Sequence, residues 1–286
     1  MTAATDIKAA DVQKLRMASG AGLMDCKAAL VETKGDMDKA LRLLREKGIA
    51  KSSKRADRVA AEGLVDTWIS PDGKQGIIFE LNSETDFVAR NEEFGALLKT
   101  FLQLVKDNPS WTTVDQLPPE KVVDLSAKVG EKISARRFAR FMTAAGLITS
   151  YIHPGSKLGV LLQIDSDKDA GSNDEVKALG RELAIQVAGA NPLYVDRTEV
   201  PADIVEREKD IAKKQMEGQK KPAEILEKIA VGKVQQFFEA NCLLDQPHVR
   251  DASGKTKIKD LVENVGKKAG LKLTVAKFVR FRVGAD

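Results

Sequence analysis

His153 and His248 are the chain's two histidines and Cys26 and Cys242 its two cysteines, and no spacing pairs either histidine with a cysteine or a serine as a nucleophile system. Neither cysteine has a second one nearby, so a zinc site or a disulfide framework is not indicated. Gly254-Lys255-Thr256 resembles the end of a phosphate-binding loop, but the leading glycine would have to be Val249. Gly20-Ala21-Gly22 reaches Asp25 where a dinucleotide fingerprint needs glycine, and no strand precedes it. These exclusions leave no enzyme and no cofactor. What remains is the stretch Leu81 to Asn91, in which a large apolar ring, Phe87, follows a carboxylate, Asp86. An apolar run from Gly76 to Leu81 enters this stretch and a helical pattern leaves it near Asn91, so it is a strand-to-helix loop. Phe87 either folds back to staple the next helix or is offered to something outside the chain.

An internal repeat bears on that choice. Gly63 to Leu98 aligns without gaps onto Gly146 to Arg181 at an offset of 83 residues, and the identical pairs include Gly63 with Gly146, Pro71 with Pro154, Lys74 with Lys157, Gly76 with Gly159 and Asp86 with Asp169. Each copy reads strand, turn, strand, loop, helix; Pro71-Asp72-Gly73 and Pro154-Gly155-Ser156 are hairpin turns. Positions shared between copies are explained by fold, whereas positions that diverge need another reason. Phe87 faces Ala170 and Ser70 faces His153. A ring used only for packing would have a bulky apolar counterpart, so the pairing with alanine favours an outward Phe87. His153, beside Pro154 at a turn, is a surface or locally bonded histidine whose asymmetry makes it the second candidate.

The elements that carry these residues follow from pattern. Residues 1–55 form an all-helical module whose three short helices centre on Val12 and Leu15, on Leu23 to Leu30, and on Ala40 to Leu44, the third capped by Asp36. No aromatic residue occurs before Trp68, so the module's core is small. Leu23 and Met24 are adjacent and point in different directions; one is expected in the core and the other outward. Strands near Lys132 to Met142 and Leu271 to Val283 join the two hairpins, giving an α+β core of two related halves with antiparallel sheets. Residues 201–242 carry apolar stripes (Ile204, Val205, Ile211; Ile225, Leu226, Ile229, Phe237) and read as a helical hairpin broken at Gly218 to Pro222. Its role is structural or oligomeric, a homodimer being one option. The expected organisation is a module at 1–55, core halves at 56–145 and 146–200, the insertion at 201–242, and a return to the second half at 243–286.

Composition narrows the class. With 43% hydrophobic residues the chain buries a real core, and its 46 basic and 42 acidic residues give a formal charge of +4, a balance that demands no nucleic-acid partner. The basic link Lys47 to Arg58 could track a phosphate backbone through Lys51, Lys54, Arg55 and Arg58, but it lacks aromatics for base stacking. No secretory leader or membrane span is evident, which makes the cytoplasm the default compartment.

Two long motifs, Gly20-Ala21-Gly22-Leu23-Met24-Asp25-Cys26-Lys27-Ala28-Ala29-Leu30 and Glu84-Thr85-Asp86-Phe87-Val88-Ala89-Arg90-Asn91, resemble the signatures of the bacterial elongation factor Ts family, in the right order. Further matches at Lys128 to Glu131, at Ser150, Tyr151, His153 and Gly159 to Leu161, at Leu243 to Pro247 and at Phe278 to Val283 extend the resemblance over nearly the whole chain. It implies a guanine nucleotide exchange factor for the GTPase elongation factor Tu, with a UBA-like N-terminal module and a coiled-coil insertion. It further implies that Thr85, Asp86, Phe87 and Val88 intrude beside the partner's magnesium ion, that Leu23, Met24, Cys26 and Lys27 dock the module on the partner, and that His153 touches it too. Direct contact with nucleic acid or membrane is not implied. Ser19, Ser83 and His248 depart from the family's usual residues. The competing classes are a translation-associated RNA-binding or scaffolding protein using the basic link, and thiol chemistry at Cys26.

Overall fold

The computed structural model describes residues 7–55, 57–215 and 223–285, the side chains of 49–54, 223 and 224 excepted. Within these residues helices and strands mix in the order of an α+β fold. The chain makes two compact units. One takes everything up to Asp66, then Phe79–Phe138 and the chain from Arg282 onward; the other takes Thr67–Ile78 and Ala139–Phe281.

The first unit opens with α1 (Ala9–Ser19), α2 (Leu23–Glu32) and α3 (Met37–Lys54). Asp36 caps α3 as its side chain predicts, accepting from the Lys39 N–H at 3.0 Å. Val12, Leu15, Cys26, Ala29, Leu30 and Ala40 fill the small core of this module. Strands β1 (Glu62–Ile69), β2 (Gln75–Ser83) and β3 (Ile133–Met142) make a three-stranded sheet in that order. Between β2 and β3 come a single turn, α4 (Asp86–Ala89), then α5 (Glu92–Asp107) and α6 (Pro119–Val129). Helix α5 buries Phe94, Leu98, Phe101, Leu102 and Val105, a three-four spacing on one face. The Phe79 ring of β2 stacks on Phe101 and on Phe138 of β3, with centroids 5.6 and 6.1 Å away.

In the second unit, β4 (Leu147–Ile152) and β5 (Leu158–Ser166) pair antiparallel from Leu147 against Ile164 to Ile152 against Gly159, and β6 (Leu273–Arg282) follows β5 in the sheet. Helix α7 (Asp174–Ala190) lays Val176, Leu179, Leu183, Ala184 and Val187 on β4 and β5. Helices α8 (Ala202–Lys214) and α9 (Ala223–Asn241) pack against each other, and α10 (Ile258–Ala269) packs on α7. The expected break between α8 and α9 at Gly218 to Pro222 lies outside the described residues. The seam of that pair follows the expected stripe in part: Leu226 and Ile229 pack against buried Ala212 and Ala230, while Ile211 and Ile225 face out. Small residues at the centre let the two helices approach.

The repeat is visible bond by bond. In the first hairpin Ser70 N–H bonds the Gln75 carbonyl and Gly73 N–H the Ser70 carbonyl; in the second, His153 bonds Leu158 and Ser156 bonds His153, all at 2.9 Å and all at the offset of 83. Lys74 ties the first turn to the second copy, its Nζ 2.8 Å from the Gly146 carbonyl. The shared Gly63 and Gly146 have one cause: a Cβ at either position would fall on the carbonyl oxygen of the facing strand, Leu81 or Ile164. Gly63 is doubly committed, with φ at 151°.

These contacts predict that Gly63→Ala and Gly146→Ala each lower the calorimetric melting temperature by about 6–12 °C, the shift for roughly 3 kcal/mol in a chain of this size. Gly232→Ala, on α9 with open space around its Cβ, raises it slightly, as removal of a helical glycine does.

Candidate functional site

Strand β2 delivers the chain to a loop that is anchored from behind by hydrogen bonds. Ser83 Oγ donates to the Thr85 carbonyl at 2.9 Å. Thr85 is the N-cap of α4, its Oγ1 accepting from Val88 N–H at 3.4 Å. The Glu131 carboxylate, just after α6, takes the Thr85 N–H on one oxygen at 3.0 Å and the Thr85 hydroxyl on the other at 2.7 Å. Glu84 accepts from Lys132 N–H at 2.6 Å and from Arg58 at 3.2 Å. The Lys132 amide above all, then the Arg58 guanidinium, holds the Glu84 carboxyl below the ordinary glutamate value. Asn91 caps α5 by accepting from Glu93 N–H at 2.8 Å.

The outer face of the loop is different in kind. Ala89 is buried and Val88 half-buried, but Phe87 is 81% exposed. Asp86 and Arg90 pair beside it at 2.8 Å. The ring does not staple α5. Its counterpart Ala170 is fully buried in the core of the second unit and donates its N–H to the Ala145 carbonyl at 2.8 Å. One copy of the repeat thus closes on itself at this position and the other holds a benzyl group in water. An exposed apolar side chain of this size, on a loop anchored from behind, is a candidate contact surface.

On α2 the outcome is mixed. Both Leu23 (47% exposed) and Met24 (73%) face outward, where one was expected inside. The inner stripe is taken by Cys26, Ala29 and Leu30 at three-four spacing, which leaves both earlier residues on the other side. The Cys26 thiol is buried in the module, 3.7 Å from the Ala21 carbonyl. Lys27 is exposed. Val31, one heptad beyond Met24, and Met17 on α1 are also exposed and were not anticipated; the 24, 27, 31 spacing of one helical face was the available signal. His153 stands exposed at the turn between β4 and β5, its Nδ1 3.0 Å from the Tyr151 hydroxyl, in the second unit.

The basic link is largely engaged within the chain. Arg55 bonds the Ser126 carbonyl at 3.0 Å, Arg58 bonds Glu84, and Lys47 bonds Glu32 at 2.5 Å. The side chains of Lys51 and Lys54 lie outside the described set. Among the described residues no three acidic, histidine or cysteine side chains gather in a group that could hold a metal ion, and no helix is long and apolar enough to cross a membrane.

Because Phe87 makes no fold contact of weight, Phe87→Ala will leave unfolding free energy within about 0.5 kcal/mol of wild type, whereas Phe79→Ala will cost about 3–5 kcal/mol in the same denaturant titration. Glu84 has a lowered pKa in the fold, so its contribution is complete above the ordinary glutamate value and is lost as pH falls through the lowered one. Unfolding titrations between pH 6 and pH 3 will show a shallower acid decline for Glu84→Gln than for wild type.

Comparison with known proteins gives the family of the chain. Residues 84–285 match the family model described as Elongation factor TS. The chain is 43% identical to elongation factor Ts of Clostridium botulinum (strain Eklund 17B), over 97% of this chain and 93% of that protein. It is 42% identical to elongation factor Ts of Nostoc sp. (strain PCC 7120) over 98% and 93%, and 39% identical to that of Prosthecochloris aestuarii over 98% and 100%.

Proposed function

The chain belongs to the elongation factor Ts family, and from that premise we propose that it promotes release of GDP from the GTPase elongation factor Tu during translation elongation. A GTPase holds its nucleotide through backbone donors of a glycine-rich loop and a magnesium ion that offsets phosphate charge. A protein that displaces the ion or deforms the loop weakens nucleotide binding, and by linkage the nucleotide weakens that protein's hold to the same degree. The exchange makes and breaks no covalent bond in this chain, so the role is that of a binding factor and not of an enzyme.

The observation that carries the reading is the Phe87 ring, held clear of its own core on a loop whose backbone is secured from behind. Phe87 is the apolar wedge, Asp86 the carboxylate that arrives with it beside the magnesium site, and Thr85 and Val88 keep the turn in shape. Leu23, Met24 and Lys27 offer an exposed face of α2 for docking the N-terminal module, for which we infer a UBA-like arrangement. His153 is assigned a contact from the second unit, and α8 with α9 a coiled-coil insertion. Burying the ring supplies on the order of 1.5–3 kcal/mol, enough to shift an exchange equilibrium only in concert with the other contacts. An RNA-scaffolding role is disfavoured by the internal partners of Arg55 and Arg58.

Stopped-flow release of a fluorescent GDP from elongation factor Tu tests this. Wild type is expected to accelerate release, Phe87→Ala to do so at least about tenfold less, and neither to show the steep salt dependence of phosphate-backbone binding. Equal acceleration by both would remove Phe87 from the mechanism, and no acceleration by wild type would remove the function.

A further inference from the structure

Glu131 is 46 residues from Thr85 in sequence, yet both of its carboxylate oxygens are committed to that one residue, one to its N–H and one to its hydroxyl. The bonds are reciprocal across the two segments. While the Glu131 side chain holds residue 85, the side chain of Glu84 takes the backbone N–H of Lys132 at 2.6 Å. Residues 84–85 and 131–132 are thus laced together by three bonds, each with an ionised acceptor, the stronger class of protein hydrogen bond.

Glu131 is itself held in place. Its carbonyl accepts from Ser126 Oγ at 2.6 Å, Ser126 is buried on α6, and the Ser126 carbonyl takes the Arg55 guanidinium at the end of the N-terminal module. The element being positioned could not hold itself. Helix α4 is four residues long, well short of what stands alone in water, and its N-cap is the residue that Glu131 grips. Without that grip the Thr85 hydroxyl is free to rotate off the Val88 amide, α4 loses its start, and Phe87 gains freedom to fold onto neighbouring apolar surface.

We propose that Glu131 is the positioning residue of the Phe87 loop: it acts through Thr85 to keep the ring presented before any partner arrives, which reduces the ordering cost at the moment of contact. The proposal rests on the reading of Phe87 as the wedge. It also stands on a property of the free protein, so the two are separable.

The test uses the full chain in two measurements. Amide hydrogen exchange of the free protein is expected to speed up about tenfold or more at Val88 and Ala89 in Glu131→Ala and in Thr85→Val, with the amides of β2 unchanged. Unchanged exchange at Val88 and Ala89 in both variants overturns the proposal whatever the protein's function. In GDP release from elongation factor Tu, each variant is expected to lower the maximal rate about tenfold while the half-saturating concentration moves less than about threefold, and Glu131→Gln, which keeps one acceptor and the shape, is expected to recover most of it. Combined with Phe87→Ala, Glu131→Ala should add less than about twofold, because it acts through the missing ring. A loss of equal size in both backgrounds would mark Glu131 as merely structural and sink the proposal. A wild-type rate in Glu131→Ala beside a slow Phe87→Ala would do the same. Failure of wild type to accelerate release would count against the functional reading alone, leaving the exchange result to decide on Glu131.

Discussion

A benzyl group kept in water has a standing tendency to collapse onto the nearest apolar surface, and only a loop with no freedom left can resist it. In this protein the resistance comes from hydrogen bonds made behind the ring: the Glu131 carboxylate on Thr85, the Lys132 amide on Glu84, and the Ser83 hydroxyl on the Thr85 carbonyl. The first two join segments 46 to 48 residues apart in sequence, so the loop's shape is a product of the assembled first unit and not of its local sequence alone. The sheet and α5 supply the platform, through the Phe79, Phe101 and Phe138 stack beneath. Presentation of Phe87 is therefore a tertiary property, supported by a core that does not itself contain the ring.

The repeat makes the same point by contrast. Both copies obey the same steric rule at Gly63 and Gly146 and close their turns with matching hydrogen bonds, since backbone geometry leaves no latitude there. They part at residue 87 against 170, where one copy places a ring outside and the other an alanine inside. Where the two copies diverge, the shared fold does not set the residue, and this is why the exposed Phe87 is the candidate for binding. The family's exchange activity, proposed for this chain, needs such a group: an apolar surface whose burial is deferred until a partner supplies the other half.

Much of this was legible in the residues before the structure. The offset of 83 located two hairpins, their turns and the helices that follow, because turn chemistry and alternation are local signals. Asp36 and Asn91 announced two helix starts for the same reason. Helix α6 was overlooked although Pro119 stands at its first position. The orientation of α2 was misread at Leu23 and Met24, which both face out because Cys26, Ala29 and Leu30 take the inner stripe. The Glu131 to Thr85 contact had no local signature at all, since two polar residues 46 positions apart meet only once β2 and β3 share a sheet. Local pattern thus marked the exposed ring and missed what holds its loop.

The central claim is that the Phe87 ring is presented in advance and becomes buried in the partner. Fluorine NMR of the protein carrying 4-fluorophenylalanine at position 87 measures both halves of that claim at one atom. The account predicts a single solvent-accessible resonance in the free chain, a shifted and solvent-protected one on addition of nucleotide-free elongation factor Tu, and return of the first when excess GDP is added. A resonance that is already protected in the free chain, or one that the partner leaves unmoved, would contradict it.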